Sequence, residues 1–165
     1  HAQGGLMIRL RPCHLVDAPA ITALASDRRV SQYTQNIPYP YDQSMAEDWI
    51  KRCEPLIEEK KLLVRAIVLT DSEQLVGIVS LMNIQGKKAE LGYWVGVDYW
   101  RRGIVTEAVR QMLTLGIEAF GLERVIAKHH ELNPASGRVL LKNGFTRMPS
   151  LENSEEPHLY YELVL

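Results

Sequence analysis

The segment Tyr99-Trp100-Arg101-Arg102-Gly103-Ile104-Val105-Thr106-Glu107-Ala108 gathers the groups in this chain best suited to hold an anion. A short basic turn with one glycine runs directly into an amphipathic helix. The first turn of a helix leaves backbone N–H groups without an intrahelical acceptor and carries the positive end of the helix dipole. Two guanidinium groups beside such an end make a place for a phosphorylated ligand. Taken alone, Arg101 and Arg102 read equally well as two solvated charges on a surface turn. Two other phosphate patterns are missing: no glycine is followed at the right distance by Lys-Ser or Lys-Thr, and no Gly-x-Gly-x-x-Gly occurs. Their absence argues against nucleotide hydrolysis and against a dinucleotide site.

The elements that must position this turn follow from periodicity. Residues 6–11 alternate as a strand, with Ile8 and Leu10 on one face, and stop at Pro12. Asp17 stands where it can cap a first helix whose Ala20, Ile21, Leu24 and Ala25 recur at helical spacing. Pro38 and Pro40 then forbid regular helix and leave an aromatic loop with Tyr33, Tyr39 and Tyr41. Ser44, with Glu47 three residues on, reads as a capping box for a second helix running toward Lys60, bent or interrupted at Pro55. Strands are expected at 62–69, 75–82 and 89–97, separated by the turns Thr70-Asp71-Ser72-Glu73 and Gln85-Gly86-Lys87-Lys88, as an antiparallel meander.

A third helix, starting near Gly103 and ended by Gly121, turns Val105, Ala108, Val109, Met112, Leu115, Gly116 and Ala119 to one side. A strand at 124–129, a fourth helix capped by Asn133 and stopped by Gly144, and closing strands at 145–148 and 158–165 around the loop 149–157 complete the chain. Strand, helix and strand around the glycine turn require a locally parallel pair, because the crossover returns to the same edge.

At 165 residues with 46% hydrophobic content the chain is sized for one domain with a full core. Residues 6–165 are assigned to that domain, and 1–5, His-Ala-Gln-Gly-Gly, to a tag or disordered terminus. The 19 basic and 20 acidic residues balance, so bulk charge points neither to nucleic acid nor to an anionic membrane. No apolar run is long enough to span a bilayer and no signal peptide is apparent. Cys13 and Cys53 are too few for a disulfide framework and fit a reducing, cytoplasmic setting. Cys13-His14 and His129-His130 lack zinc-site spacing, so no metal is expected. The fold class is α/β: a mixed, mainly antiparallel central sheet with one parallel pair and about four helices on both faces.

Two stretches carry a family resemblance: Glu90-Leu-Gly-Tyr-Trp-Val-Gly-Val-Asp-Tyr-Trp-Arg-Arg-Gly-Ile-Val-Thr-Glu-Ala108 and Asn133-Pro-Ala-Ser-Gly-Arg-Val-Leu-Leu-Lys-Asn-Gly-Phe145. They resemble the GNAT superfamily of acetyl-CoA-dependent N-acetyltransferases. Arg11-Pro12, Asp17-Ala18 and Ile37-Pro-Tyr-Pro-Tyr41 resemble the branch that includes the ribosomal-protein N-terminal acetyltransferases RimJ and RimL. The likeness therefore covers nearly the whole chain. The family's turn pattern, Gln/Arg-x-x-Gly-x-Gly/Ala, falls on Trp100, Arg101, Arg102, Gly103, Ile104 and Val105. It departs at Trp100, where the family has Gln or Arg, and at Val105, where it has a small residue. The larger Val105 would crowd the closest backbone approach to a pyrophosphate, weakening binding without abolishing it, since N–H donors do not depend on side-chain identity.

The resemblance implies a GNAT-like sheet whose parallel pair splays, so that the strand 93–97 offers free backbone groups to the amide-rich pantetheine arm of acetyl-CoA. It places Val95, Gly96, Val97, Arg101, Arg102, Gly103, Ile104, Val105, Thr106 and Asn133 around this cosubstrate, with a backbone N–H of 95–97 steadying the thioester carbonyl. Asn133 would bond the pantetheine arm, cap its helix, or both.

Acetyl transfer to an amine needs a neutral amine, a polarised carbonyl and a proton for the departing thiolate. Glu90, on the strand entering the acetyl end, is the candidate base; its plainer reading is a solvated edge carboxylate. Many relatives supply the proton from a tyrosine four residues before the glycine of Gly144-Phe145, and that position is Leu140 here. Ser136 matches the serine of RimL-like enzymes and is the candidate acid, or else an ordinary first-turn helix residue. A serine suffices for a leaving thiolate of pKa near ~8.5.

Direct attack in a ternary complex needs no acetyl-enzyme, and neither cysteine lies in the motifs. The acceptor, a primary amine, would enter past Tyr33, Tyr39 and Tyr41, whose surface suits a peptide or small polar amine. The resemblance favours a protein N-terminal α-amine over an antibiotic, polyamine or amino acid. The expected partner is that amine, with no nucleic acid or membrane, and the chain is a monomer or homodimer. Two readings of other classes stand beside this one: a non-catalytic acetyl-CoA-binding sensor or scaffold, which the off-pattern Val105 and Leu140 would suit, and a structural domain that uses the same fold to dimerise.

Overall fold

The computed structural model describes residues 7–34, 36–149 and 157–165; the tag expected at 1–5 and most of the loop expected at 149–157 lie outside them. In chain order the elements are β1 (Ile8–Arg11), α1 (Ala18–Ala25), α2 (Arg28–Ser31), α3 (Gln43–Glu58), β2 (Leu63–Leu69), β3 (Leu75–Gln85), β4 (Lys88–Val95), α4 (Ile104–Phe120), β5 (Arg124–His130), α5 (Pro134–Lys142), β6 (Thr146–Arg147) and β7 (His158–Val164). Short 3-10 turns, Leu15–Asp17 and Val97–Tyr99, lead toward α1 and α4. The strands form one sheet in the order β1-β2-β3-β4-β5-β7-β6. All neighbours are antiparallel except β4 and β5, which are parallel. The parallel pair falls where the crossover through the glycine turn requires it.

Alternation along the strands divides their side chains between two cores. Leu63, Ile67, Val79, Leu81, Leu91 and Val95 pack with Ala108, Val109, Met112 and Leu140 of α4 and α5. Val64, Ala66, Val68 and Ile78 pack with Ile21, Ala46 and Ile50 of α1 and α3. With both faces covered, β2 is buried at six of its seven positions, which is why it reads in sequence as a continuous apolar run.

Several local expectations are corrected. About four helices are expected and five occur among the described residues, the additional one, α2, being a single turn, too short to show a period. The cap of α3 is Asp42 rather than Ser44: Met45 N–H donates to Asp42 Oδ1 at 3.0 Å, and Ser44 Oγ donates to the same oxygen at 2.6 Å. Pro55 does not interrupt α3, which continues to Glu58. Asp17 makes no cap bond to α1. It is buried and accepts two bonds from the Arg11 guanidinium, at 2.8 and 2.9 Å, and one from the His14 N–H at 2.8 Å. These tie the end of β1 to the start of α1.

Helix α4 begins after Gly103, at φ 75°, and ends before Gly121, at φ 61°. At both glycines a Cβ would meet no atom within 4 Å. The left-handed backbone, not space, calls for glycine at the two ends.

Candidate active site

Strands β4 and β5 pair only from Lys88 with Arg124 to Leu91 with Ala127. Beyond that point β4 continues along β3, from Gly92 opposite Ser80 to Val95 opposite Gly77. β5 continues along β7, from Lys128 opposite Tyr160 to His130 opposite His158. The two strands therefore part, and a cavity of about 750 Å³ lies at the split, lined by both edges, the start of α4 and the first turn of α5.

The cavity has two sides set by the pleat. Glu90, Gly92 and Trp94 stand opposite Met82, Ser80 and Ile78, and Trp94, Met82 and Ile78 belong to the α1–α3 core. Leu91, Tyr93 and Val95 belong to the α4–α5 core. Glu90 thus lies on one side of β4 and Tyr93 on the other.

The basic turn closes one end. Arg101 takes φ 63° and Gly103 φ 75°, both left-handed. The first bond onto α4 is Glu107 N to Gly103 O at 3.2 Å. The N–H groups of residues 101–106 have no acceptor among the described residues, a run of donors of the kind that holds a phosphate. Arg101, Arg102, Arg138 and Lys142 line the same cavity. Trp100, one of the two residues that depart from the turn pattern, donates its indole Nε1–H to Val95 O at 3.1 Å, tying the turn to the end of β4. Val105, the other, lines the cavity and packs against the α4–α5 core, so part of its added bulk is taken up there.

Of the residues singled out in sequence, Tyr33, Tyr41, Glu90, Val95, Arg101, Arg102, Gly103, Ile104, Val105, Thr106, Asn133 and Ser136 line this one cavity. Gly96, Val97 and Tyr39 are not among its lining residues. Gly96 has a packing reason instead: a Cβ there would lie 2.5 Å from Leu24 Cδ2 of α1. Its N–H is committed to Val76 O at 2.9 Å and is not free for a thioester carbonyl. Tyr39 is exposed, with the Arg28 guanidinium 5.2 Å from its ring centroid.

Glu90 is half-buried and accepts a bond from Asn83 Nδ2 to Oε2 at 3.1 Å, which leaves Oε1 without a protein partner among the described residues. Asn133 occupies the N-cap position of α5, yet its side chain makes no cap bond, which sets the capping reading aside. Ser136 Oγ lies 2.6 Å from the Tyr93 hydroxyl, which also reaches Ser136 O at 3.1 Å.

Close docking of α5 brings Ser136 to this place. At Gly137 a Cβ would sit 2.7 Å from Tyr161 Oη and 2.9 Å from His129 Nε2, so only glycine lets the helix lie this near β5 and β7. His129 is buried, and burial lowers its pKa. The neutral ring donates Nδ1–H to His130 O at 2.7 Å and accepts the Tyr161 hydroxyl at Nε2, 3.3 Å away. On the Glu90 side, the His130 ring stands 5.2 Å from Tyr33 and 5.9 Å from His158, centroid to centroid. Neither Tyr93 nor His130 was picked out from the sequence. For Tyr93 a signal existed: it stands three residues from Glu90 in a strand, hence on the opposite face.

Among the described lining residues Glu90 is the one carboxylate, against Arg29, Arg101, Arg102, Lys128, Arg138 and Lys142. No group of acidic, histidine or cysteine side chains able to hold a metal occurs among the described residues. No helix there is long and apolar enough to cross a membrane.

A parted parallel strand pair beside a run of unpaired amides is the arrangement expected of an acyltransferase working on a CoA thioester. Over residues 7–146 the chain matches the acetyltransferase (GNAT) domain family. It is 31% identical over 133 residues to the uncharacterised N-acetyltransferase YoaA of Bacillus subtilis, covering 79% of this chain and 75% of that protein. RimL, a ribosomal α-N-protein acetyltransferase solved with coenzyme A, superposes at a TM-score of 0.86 with 18% identity, over 99% of this chain and 97% of that one. The microcin C7 self-immunity acetyltransferase MccE, solved with acetyl-CoA and AMP, gives 0.84 with 22% identity, over 96% and 92%. The two structural likenesses are likenesses of fold. The chain belongs to the GNAT acetyltransferase family and is an acetyl-CoA-dependent N-acetyltransferase. Nothing found supports the sensor, scaffold or purely structural readings.

Proposed function

We propose that the protein transfers acetyl from acetyl-CoA directly to the α-amine of a peptide or protein N-terminus. The carrying observation is that Glu90 and Ser136 line one cavity from opposite sides of β4. In this reading the pyrophosphate rests on the amides of 101–106 between Arg101 and Arg102, with Gly103 setting the turn and Ile104, Val105 and Thr106 supplying the first helical N–H groups. The pantetheine arm lies along the unpaired edge of 92–95, including Val95, and bonds the free side chain of Asn133.

The acceptor enters on the Glu90 side, past Tyr33 and Tyr41. Glu90 takes a proton from the ammonium group through its open Oε1, directly or by way of water, and the neutral amine attacks the thioester carbonyl. As the C–S bond breaks, Ser136 delivers a proton to the sulfur. Both steps occur in one ternary complex, so no acetyl-enzyme forms.

Charge selects among amines. Among the described lining residues a polycation would meet a single carboxylate, Glu90, whereas a peptide N-terminus carries one ammonium group to match it. RimL, described as an α-N-protein acetyltransferase, shares the fold and supports the choice.

Thiol release measured with acetyl-CoA and a panel of amines tests it. Peptides with a free N-terminus should exceed spermidine in kcat/KM by about tenfold or more, a factor equivalent to about 1.4 kcal/mol. Preference for spermidine, or equal turnover of an N-terminally blocked peptide, would overturn the assignment.

A further inference from the structure

Ser136 is poorly placed by its own chemistry to deliver a proton in one direction. A serine hydroxyl rotates freely and can donate to any nearby oxygen, including the carbonyls of its own helix. In this structure it is not left free. The Tyr93 hydroxyl, arriving from strand β4 on the α4–α5 side, lies 2.6 Å from Ser136 Oγ and 3.1 Å from Ser136 O. Among the described residues Tyr93 is the only side chain hydrogen-bonded to the Ser136 hydroxyl, and it lines the same cavity. The contact spans 43 residues of sequence and exists because Gly137 lets α5 dock closely.

We infer that Tyr93 is a positioning residue for acetyl transfer: its single hydroxyl proton goes to Ser136 Oγ across the 2.6 Å contact, in preference to the longer 3.1 Å approach to Ser136 O, and so turns the serine O–H toward the sulfur of the departing CoA. The proposal rests on Ser136 being the proton donor. The phenol suits the task because burial raises its pKa above the ordinary tyrosine range, outweighing the opposing effect of the Ser136 bond; it stays protonated and keeps donating wherever the amine is reactive. Proton balance is simple. The Ser136 proton goes to sulfur as the C–S bond breaks, the phenol keeps its own proton, and solvent water reprotonates the serine before the next cycle. No proton passes through the ring.

Tyr93→Phe removes the oxygen and keeps the ring in the core. The expected result is a fall in kcat of about tenfold or more, within the range of general acid catalysis, with the KM for acetyl-CoA changed less than about twofold. Ser136→Ala should fall by at least as much, and Tyr93→Phe/Ser136→Ala should fall no further than Ser136→Ala alone, because the phenol acts only through the serine. Melting temperatures of the variants with acetyl-CoA bound show that each is folded and loaded.

If Ser136→Ala lowers kcat while Tyr93→Phe leaves it unchanged, the positioning role is refuted and Ser136 stands as the acid. If Tyr93→Phe lowers kcat and Ser136→Ala does not, the serine is not the donor and both readings fall. Independent, multiplicative losses in the double variant also refute positioning, and a loss confined to KM makes the contact structural.

Discussion

The two ends of α4 provide a matched pair of substitutions that separates backbone strain from ligand binding. Gly103 and Gly121 both adopt left-handed angles, φ 75° and 61°, and at neither does an added Cβ meet an atom within 4 Å. Alanine therefore meets the same obstacle at both, the intrinsic cost of the left-handed region, about 1–2 kcal/mol. For a domain of this size each kcal/mol lowers Tm by roughly 2–4 °C, so Gly103→Ala and Gly121→Ala should each lose about 2–8 °C. Their effects on acetyl-CoA should differ. Gly103 sets the path of the unpaired amides of 101–106, and relaxation of that turn to relieve strain pulls the donors out of register. If the full 1–2 kcal/mol is recovered by giving up the bound geometry, Kd rises by roughly 5- to 30-fold. Gly121 lies at the other end of the helix, outside the cavity lining, and its variant should bind acetyl-CoA normally. Differential scanning fluorimetry and isothermal titration calorimetry on the two variants give the four numbers. A normal Kd for Gly103→Ala, or equal weakening in both, would refute the assignment of the turn to the pyrophosphate.

Further outcomes follow from the same structure. Glu90→Gln should lower kcat/KM and alter the shape of its pH profile; an unchanged profile excludes Glu90 as the base. Asp17→Asn should destabilise by about 3 kcal/mol, near the low end for breaking a buried pair because the Arg11 side chain is 24% exposed, as read by urea denaturation. Burial alone would raise the Asp17 pKa, but the bonds from Arg11 and the His14 N–H outweigh it and hold it below the ordinary value. Its stabilisation is therefore complete above the ordinary carboxylate range and lost as pH falls through the lowered pKa, and the Asn variant should lack that acid loss. Burial pushes the Cys13 thiol up to about 12 and the Cys53 thiol to about 11, so neither should react quickly with a thiol reagent at pH 8 until the protein is unfolded. Gly137→Ala should lower both Tm and kcat, since its Cβ would force α5 from Tyr161 and His129; an unchanged kcat would contradict the docking argument.

Much of this was legible in the sequence because it is local. Period-two alternation marks β1 and a continuous apolar run marks β2, and the chain order of strand, helix and strand dictates the parallel pair at β4 and β5. The unpaired amides at 101–106 follow from a glycine turn opening a helix. What stayed hidden depends on partners distant in sequence or on competition among near neighbours. Asp42 and Ser44 are both good caps two residues apart, and only the backbone path decides between them. Asp17 looks like a cap until Arg11 is brought beside it. Gly96 looks like a ligand contact until Leu24 is seen to need the space. The bond from Tyr93 to Ser136 joins β4 to α5, a pairing that no spacing rule encodes.

The central claim is that acetyl-CoA sits in the split between β4 and β5 with its pyrophosphate on the start of α4. Amide hydrogen exchange with and without acetyl-CoA reads those groups directly. The account predicts protection concentrated at 101–106, at the edge 92–95 and at the first turn of α5, with little change in β1 or β6. Protection absent from 101–106, or centred elsewhere, would contradict it.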